Sequence, residues 1–156
     1  MKRIILTGVI LVALYACGNQ SSTNEVPATG EEKKETAANP DYDPNRGEGK
    51  FKDVKLDPKL DAALAETGNK VYGVKCSSCH KTTDEKLVGP GWKGVTARNT
   101  PAWIMNFITN TDEMITKDPK AQAQLEICLV RMPNQNLTDE EARSLLEFMR
   151  KVDGVQ

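Results

Sequence analysis

The sequence is poor in aromatic residues, in histidine and in net charge. Aromatic side chains make up only 5% of the 156 residues, which is little for a domain that must build its own core. The formal net charge is −1, so the composition gives no indication of a nucleic-acid partner. No stretch alternates apolar and polar residues with the period of a strand. These absences favour a single all-α domain with tails.

The only histidine stands in the pentapeptide Cys76-Ser77-Ser78-Cys79-His80. Two cysteines at this spacing can each form a thioether to a haem vinyl group, and the histidine that follows can bind the iron. The motif therefore predicts one covalent haem c held by Cys76, Cys79 and His80. A buried porphyrin would also supply the apolar volume that aromatic residues do not. Because there is no second histidine, the other axial ligand of the iron must be a different residue type.

The N-terminus predicts export. A basic pair, Lys2-Arg3, precedes an apolar run over residues 4–14 that is too short to span a bilayer comfortably. Residues 14–17 read Leu-Tyr-Ala-Cys and resemble the bacterial lipobox, whose cysteine is lipidated and becomes the mature N-terminus. We therefore expect a signal peptide over residues 1–16, a lipid on Cys17 and a membrane-anchored protein in the periplasm. The alternatives are an ordinary secretory peptide and an uncleaved anchor.

Other uses of the cysteines stay open. A redox disulfide between Cys76 and Cys79 is typical of a βαβ context, which the flanking sequence does not supply. A zinc ion could be bound by the motif together with Cys128, but the usual second pair of closely spaced ligands is missing. If Cys17 carries lipid and the motif carries haem, Cys128 has no cysteine partner. We then expect a buried, inert thiol.

Residues 17–56 are expected to link the lipid to the folded domain. Residues 18–40 are rich in small and polar side chains and hold almost no large apolar ones, so they cannot bury enough surface to become ordered. Residues 41–51 combine turn formers with Tyr42 and Phe51. We expect this stretch to lie as an extended arm on the domain surface.

The folded domain is expected to span residues 57–156 and to be entirely helical. A capping residue followed by proline at the first helical position occurs three times, at Asp57-Pro58, Thr100-Pro101 and Asp118-Pro119. Thr138 and Glu141 have the spacing of a capping box, and the apolar residues after them repeat with a helical period. These signals predict helices up to the haem motif, after residue 100, after residue 118 and at the C-terminus.

From Gly68 to Met149 the chain resembles a class I cytochrome c domain. Gly68 and Tyr72 match the family's Gly-x-x-x-aromatic pattern, which implies a close crossing of the first and last helices. Gly89-Pro90 matches the family's Gly-Pro, whose proline carbonyl accepts a hydrogen bond from the haem-binding histidine. The resemblance implies an all-α, class I cytochrome c-like fold around one haem.

Four methionines are candidates for the second iron ligand: Met105, Met114, Met132 and Met149. Met105 and Met149 fall inside predicted helices, where methionine usually fills the core, and Met114 lies near a helix end. Met132 precedes Pro133 in a loop before the last helix and resembles the family's Met-Pro. The resemblance therefore implies His80 and Met132 as the axial pair. An open position, or a ligand other than methionine, is the alternative.

The resemblance also implies an electron carrier rather than an enzyme. A haem with histidine and methionine ligands exchanges single electrons, and a filled sixth position discourages the binding of other ligands. We expect redox proteins as partners, such as a terminal oxidase, a bc-type complex or nitrous oxide reductase. The alternative is a five-coordinate haem sensor, or a subunit of a haem enzyme that reduces a small molecule.

Charge is unevenly placed along the chain. Residues 68–100 carry six basic and two acidic side chains, a balance of +4, whereas loss of Lys2 and Arg3 takes the whole chain from −1 to −3. In the resembled fold this basic stretch surrounds the attached haem edge. We expect the edge to meet an acidic surface on the redox partner.

Overall fold

The computed structural model describes residues 42–156. The expected signal peptide, Cys17 and the linker up to residue 41 lie outside the described residues. The described part contains no strand and six helices: α1 (Ala62–Lys75), α2 (Val95–Arg98), α3 (Pro101–Thr109), α4 (Thr111–Lys117), α5 (Pro119–Cys128) and α6 (Asp139–Val152). None of these helices is long and apolar enough to cross a membrane. The all-α prediction is confirmed.

Side-chain caps set the starts of α3, α5 and α6 where the sequence predicted them. Thr100 and Asp118 each accept a hydrogen bond from a backbone N–H in the first turn of α3 and α5, and proline follows each of them. At α6 the capping box is complete, because Thr138 and Glu141 each accept the other's backbone N–H. These three predicted starts are confirmed.

The expected helix start at Asp57-Pro58 is wrong. The Asp57 carboxylate accepts the backbone N–H of Lys59 at 2.8 Å and so closes a local turn instead of capping a helix. Asp61 caps α1 instead, with its carboxylate oxygen 2.9 Å from the backbone nitrogen of Leu64. The same side-chain chemistry serves both turns and helix caps, so the sequence pattern alone did not separate them.

Two short helices, α2 and α4, were not predicted. Neither is long enough to show an apolar period, and α4 begins directly after Asn110 ends α3. Met114, expected near a helix end, lies within α4 and is fully buried. Its sulfur accepts the backbone N–H of Glu48 at 3.0 Å.

The closest helix packing joins α1 to α6. A Cβ added at Gly68 would overlap the backbone carbonyl oxygen of Ser144 and lie 2.9 Å from the Cβ of Phe148. One turn further along α1, the ring of Tyr72 packs 5.3 Å from the ring of Phe148. The crossing that the resemblance implied is therefore present. It places the end of α1, where the haem motif begins, against the last helix.

A buried carboxylate joins α6 to the segment ahead of α1. Glu147 is fully buried and accepts hydrogen bonds from Arg150 at 2.6 Å, Arg143 at 2.7 Å and the backbone of Asp61 at 2.9 Å. Arg150 also donates to the carbonyl of Asp57 at 2.6 Å. Burial raises the pKa of Glu147, but these hydrogen bonds outweigh burial and hold the pKa below its ordinary value. The group is thus an anion at neutral pH.

Residues 42–56 lie against α3 and α4. The amide of Asn106, which is fully buried, donates to the carbonyls of Arg46 at 2.8 Å and Phe51 at 2.9 Å, and it accepts the Phe51 N–H at 2.9 Å. Phe51 and Val54 pack against the core. The segment is therefore an arm held on the domain surface, and it belongs to the same compact unit as the helices.

We predict that Gly68→Ala lowers the free energy of unfolding by about 1–3 kcal/mol, because the new methyl overpacks the α1–α6 crossing. Gly73→Ala is the matched control in the same helix, since nothing lies within 4 Å of the Cβ it would gain. That control should raise stability by roughly 0.5–1 kcal/mol through helix propensity. Denaturant unfolding of both variants measures the difference. Similar effects at the two sites would contradict the close crossing.

Candidate functional site

The haem motif begins where α1 ends. The backbone N–H of Cys76 donates to the carbonyl of Tyr72 at 2.9 Å. The N–H groups of Cys79 and His80 then fold back onto the Cys76 carbonyl at 3.1 and 3.0 Å. The Tyr72 hydroxyl donates to the carbonyl of His80 at 2.7 Å. One tight turn, held by α1, therefore carries both thiols and the imidazole.

The ring of His80 is fixed by its neighbours. Its Nδ1 lies 2.8 Å from the Pro90 carbonyl oxygen and donates to it, which leaves Nε2 as the nitrogen able to bind a metal. A Cβ added at Gly89 would lie 2.8 Å from Nδ1, so the loop passes directly over the ring. Burial lowers the pKa of His80, although the bond to Pro90 acts in the opposite direction. The ring is therefore neutral at pH 7, the form that ligates metals.

An apolar cavity opens beside the motif. Its wall comes from the motif, the loop after it, the segment ahead of α6 and residues of α2 to α6. It includes Cys79, His80, Pro90, Trp92, Trp103, Ile104, Phe107, Leu125, Cys128, Val130, Met132 and Met149. The ring of Trp92 lies 5.8 Å from that of His80. Cys76 is buried in the core cluster that also contains Trp92.

These residues fit a covalently attached haem. Cys76 and Cys79 are both free thiols, and they share a turn with the imidazole beside an apolar cavity. Burial raises the pKa of the Cys76 thiol to about 11, unlike the acidic thiolates of redox Cys-x-x-Cys proteins. Among residues 42–156, no three His, Cys, Asp or Glu side chains are grouped to hold one metal ion. The geometry thus favours haem over the disulfide and zinc interpretations.

Comparison with known proteins settles the family. The sequence profile of the family described as Cytochrome c matches residues 65–153. The chain belongs to the cytochrome c family. This family binds covalent haem c, one in a mono-haem class I domain, and membership indicates haem-based electron transfer.

Solved structures show the same class I cytochrome c-like fold. Cytochrome c from Rhodothermus marinus is 35% identical, with a TM-score of 0.65 over 67% of this chain and 90% of that chain. An engineered form of it, Rma TDE, is 34% identical with a TM-score of 0.65 and the same coverage. Rma TDE bound to a carbene intermediate is also 34% identical, with a TM-score of 0.62 over the same shares. No curated protein matches this cytochrome's sequence.

The candidate methionines are placed differently around the cavity. Met132 is partly buried and lines the cavity from the irregular segment ahead of α6. Met149 also reaches the wall, but it is 3% exposed and packed within α6. Met105 and Met114 are buried in the core, outside the cavity wall. The structure therefore brings Met132 and Met149, but not the other two, to the same cavity as His80.

The expectation that Cys128 is buried is wrong. Cys128 is the last residue of α5, is partly exposed and lines the cavity. The next residue, Leu129, has a φ of 60°, so the chain leaves the helix in a left-handed turn at this point. A thiol at a helix end beside a cavity was not distinguishable in the sequence from one in a core.

The sequence did not indicate that three aromatic side chains contribute to the site. Trp103 belongs to the apolar face of α3, and an apolar period in the sequence cannot separate a core face from a cavity wall. Trp92 follows Gly89-Pro90 and was given no role, yet it is 6% exposed and lies between the cavity and the core. The hydroxyl bond from Tyr72 to His80 depends on how the turn folds, so no sequence signal marked it.

We predict that Gly89→Ala displaces the His80 ring, at a cost of about 1–3 kcal/mol, because the added methyl has no free space. The variant should bind haem less completely, and its visible spectrum should show altered axial ligation. Gly73→Ala, on the open side of α1, should leave haem content and spectrum unchanged. A normal spectrum in Gly89→Ala would show that the loop does not control the ring.

Proposed function

We propose that this cytochrome is an exported, lipid-anchored carrier that moves single electrons between respiratory redox proteins, with His80 and Met132 as the axial ligands of its haem. The observation that carries the proposal is the arrangement of one cavity. A fixed imidazole with a free Nε2 and a methionine from a loop both border it. The lipobox-like tetrapeptide at residues 14–17 supports export and anchoring.

Each site residue has a distinct part in this proposal. When bound, haem c supplies a one-electron redox centre. Cys76 and Cys79 would hold it covalently, and His80 would be oriented by the Pro90 carbonyl, which also makes the imidazole a stronger ligand. The apolar wall excludes water and so favours the less charged, reduced state. In this proposal the protein is a carrier rather than an enzyme, because one-electron transfer through the haem requires no residue that moves a proton or binds a substrate.

The surroundings of the four methionines support Met132 over the others. Met114 already uses its sulfur to accept the N–H of Glu48, and Met105 is enclosed by the core. Met149 lies on the α6 face that packs the core, where a move towards the cavity would disturb buried neighbours. Met132 belongs to a loop and is followed by Pro133, which restricts the backbone at that position.

We predict that Met132→Ala lowers the reduction potential of the haem, because loss of thioether ligation favours the oxidised iron. The same change should open the iron to carbon monoxide or cyanide. Voltammetry and optical spectra of the purified protein measure both effects. Met149→Ala is the matched comparison from the same cavity wall.

An unchanged spectrum and potential in Met132→Ala would remove Met132 from the axial pair. If the unmodified protein already binds carbon monoxide rapidly, the alternative function is favoured. That alternative is a five-coordinate haem that senses a small gas or serves an enzyme that reduces a small molecule.

The proposed anchor depends on Cys17. We predict that Cys17→Ser releases a soluble cytochrome with a normal spectrum from the membrane fraction, because no acyl chains are attached. Fractionation of cells and mass spectrometry of the mature N-terminus measure the change. Full membrane retention of this variant would mean that another feature anchors the protein.

We propose that partners dock where the basic stretch meets exposed apolar side chains. Lys86 donates to the carbonyl of Ile127 at 2.9 Å and so joins the loop after the motif to the end of α5. Val88 and Val130 line the cavity from these two segments and are 39% and 53% exposed. Lys81 pairs with Glu85 at 2.5 Å, so part of the positive charge is already balanced. An acidic protein surface with an apolar centre would fit this face.

Charge reversal tests the docking proposal. Changing both Lys81 and Lys86 to Glu should slow association with the redox partner by about tenfold at low salt, because electrostatic steering is lost. Raising salt through about 0.1 M should slow the unmodified protein in the same direction. Changing both Lys55 and Lys59 to Glu, on two exposed residues ahead of α1, is the control with the same change in net charge. If neither added salt nor reversal of both lysines changes the association rate, docking depends on apolar contact rather than on charge.

A further inference from the structure

The carboxylate of Asp118 is buried between the arm and the haem cavity. Asp118 is 1% exposed and caps α5, with Oδ1 accepting the backbone N–H of Ala121 at 2.7 Å. Its other oxygen, Oδ2, accepts the indole N–H of Trp103 at 2.8 Å. The same oxygen accepts a hydrogen bond from the hydroxyl of Tyr42, in the arm. A helix cap needs only the first of these three bonds.

These bonds connect the arm to the cavity wall. Trp103 lines the cavity and stacks on Phe107, another wall residue, with the ring centroids 5.1 Å apart. On the other side, the arm covers the carboxylate closely, since a Cβ added at Gly47 would lie 3.2 Å from Oδ2. Burial, followed by the bond to Asp118, raises the pKa of Tyr42, so the phenol stays protonated and keeps donating.

Asp118 differs from the other buried carboxylate, Glu147, in the groups that compensate its negative charge. Glu147 is paired with two arginines, whereas Asp118 makes no ion pair with any residue in the range 42–156. The ammonium of Lys120 lies over the Trp103 ring and donates to Asn99 at 3.3 Å. Asp118 is therefore stabilised by three hydrogen bonds and by the N-terminus of α5, without a cationic partner among the described residues.

We propose that Asp118 is a positioning residue of the haem site. It fixes the indole of Trp103 in the cavity wall and places a buried negative charge behind it, and Tyr42 of the arm keeps water away from that charge. A negative charge in a poorly solvated place beside the haem favours the oxidised state, which carries one more positive charge. The arm would therefore lower the reduction potential of this cytochrome. Only this redox effect rests on the proposed carrier function.

Asp118→Ser and Asp118→Asn separate this role from that of a simple helix cap. Serine caps helices about as well as aspartate, but it carries no charge and does not have the second oxygen that Trp103 and Tyr42 share. In the ¹⁵N-labelled, haem-loaded full chain, the indole N–H signal of Trp103 is assigned by its loss in Trp103→Phe. In Asp118→Ser, hydrogen exchange at this N–H should accelerate by about tenfold or more, the factor expected for losing a bond to a charged acceptor. The reduction potential should rise in both variants.

Tyr42→Ala tests the part played by the arm, because it removes the phenol that covers the Asp118 carboxylate and lets water reach it. It should shift the Trp103 N–H signal and raise the potential, by less than Asp118→Ser, because water screens the charge. This milder change also tests the proposal if the Asp118 variants fail to fold. Glu147→Gln removes the charge of an equally buried carboxylate whose hydrogen-bond partners, Asp61, Arg143 and Arg150, do not line the cavity. It should lower stability but leave the Trp103 N–H signal in place.

Normal Trp103 exchange and an unchanged potential in a folded Asp118→Ser protein would reduce Asp118 to a helix cap and overturn the proposal. If Tyr42→Ala changes neither the Trp103 signal nor the potential, the arm has no part in the proposed role of Asp118. The indole signal does not depend on which residue binds the iron. A failure of Met132→Ala to alter the spectrum, combined with a clear Asp118 effect, would therefore overturn the proposed ligation and leave this inference standing.

Discussion

The α1–α6 crossing at Gly68 leaves no room for a side chain, and the position of the haem site depends on it. Because the helices touch there, the end of α1 is held against α6, and the motif starts at that end. Tyr72 then fixes the His80 backbone through its hydroxyl, and the Pro90 carbonyl fixes the ring. The orientation of the His80 ring thus depends on the α1–α6 packing through these two hydrogen bonds.

Three buried polar side chains connect the arm and the segment ahead of α1 to the helices. Asn106 holds the arm to α3, and Glu147 holds the segment ahead of α1 to α6. Asp118 links the arm to Trp103. Every buried polar side-chain atom in the described residues has a hydrogen-bond partner, and these bonds offset the cost of burying the polar groups. The domain consequently includes the arm as well as the helices that carry the cofactor site.

Local chemistry decided how much of this was predictable. Thr100, Asp118 and Thr138 marked helix starts because a cap and its first turn are local, whereas Asp57 showed the same pattern and formed only a turn. The haem motif and Gly89-Pro90 were visible for the same reason. Contacts between residues far apart in the chain left no pattern in the sequence from which to predict them. The Tyr42–Asp118–Trp103 connection spans 76 residues, and the position of Cys128 depends on where α5 packs.

Peptide mapping of the purified holoprotein shows whether Cys76 and Cys79 both hold a covalent haem. Trypsin should release residues 76–81 as one peptide after cleavage at Lys75 and Lys81. We expect that peptide to retain the haem absorbance and mass after denaturation, with both cysteines unavailable to alkylating reagents, because each forms a thioether. Recovery of the peptide without haem, with free or disulfide-bonded cysteines, would contradict the account.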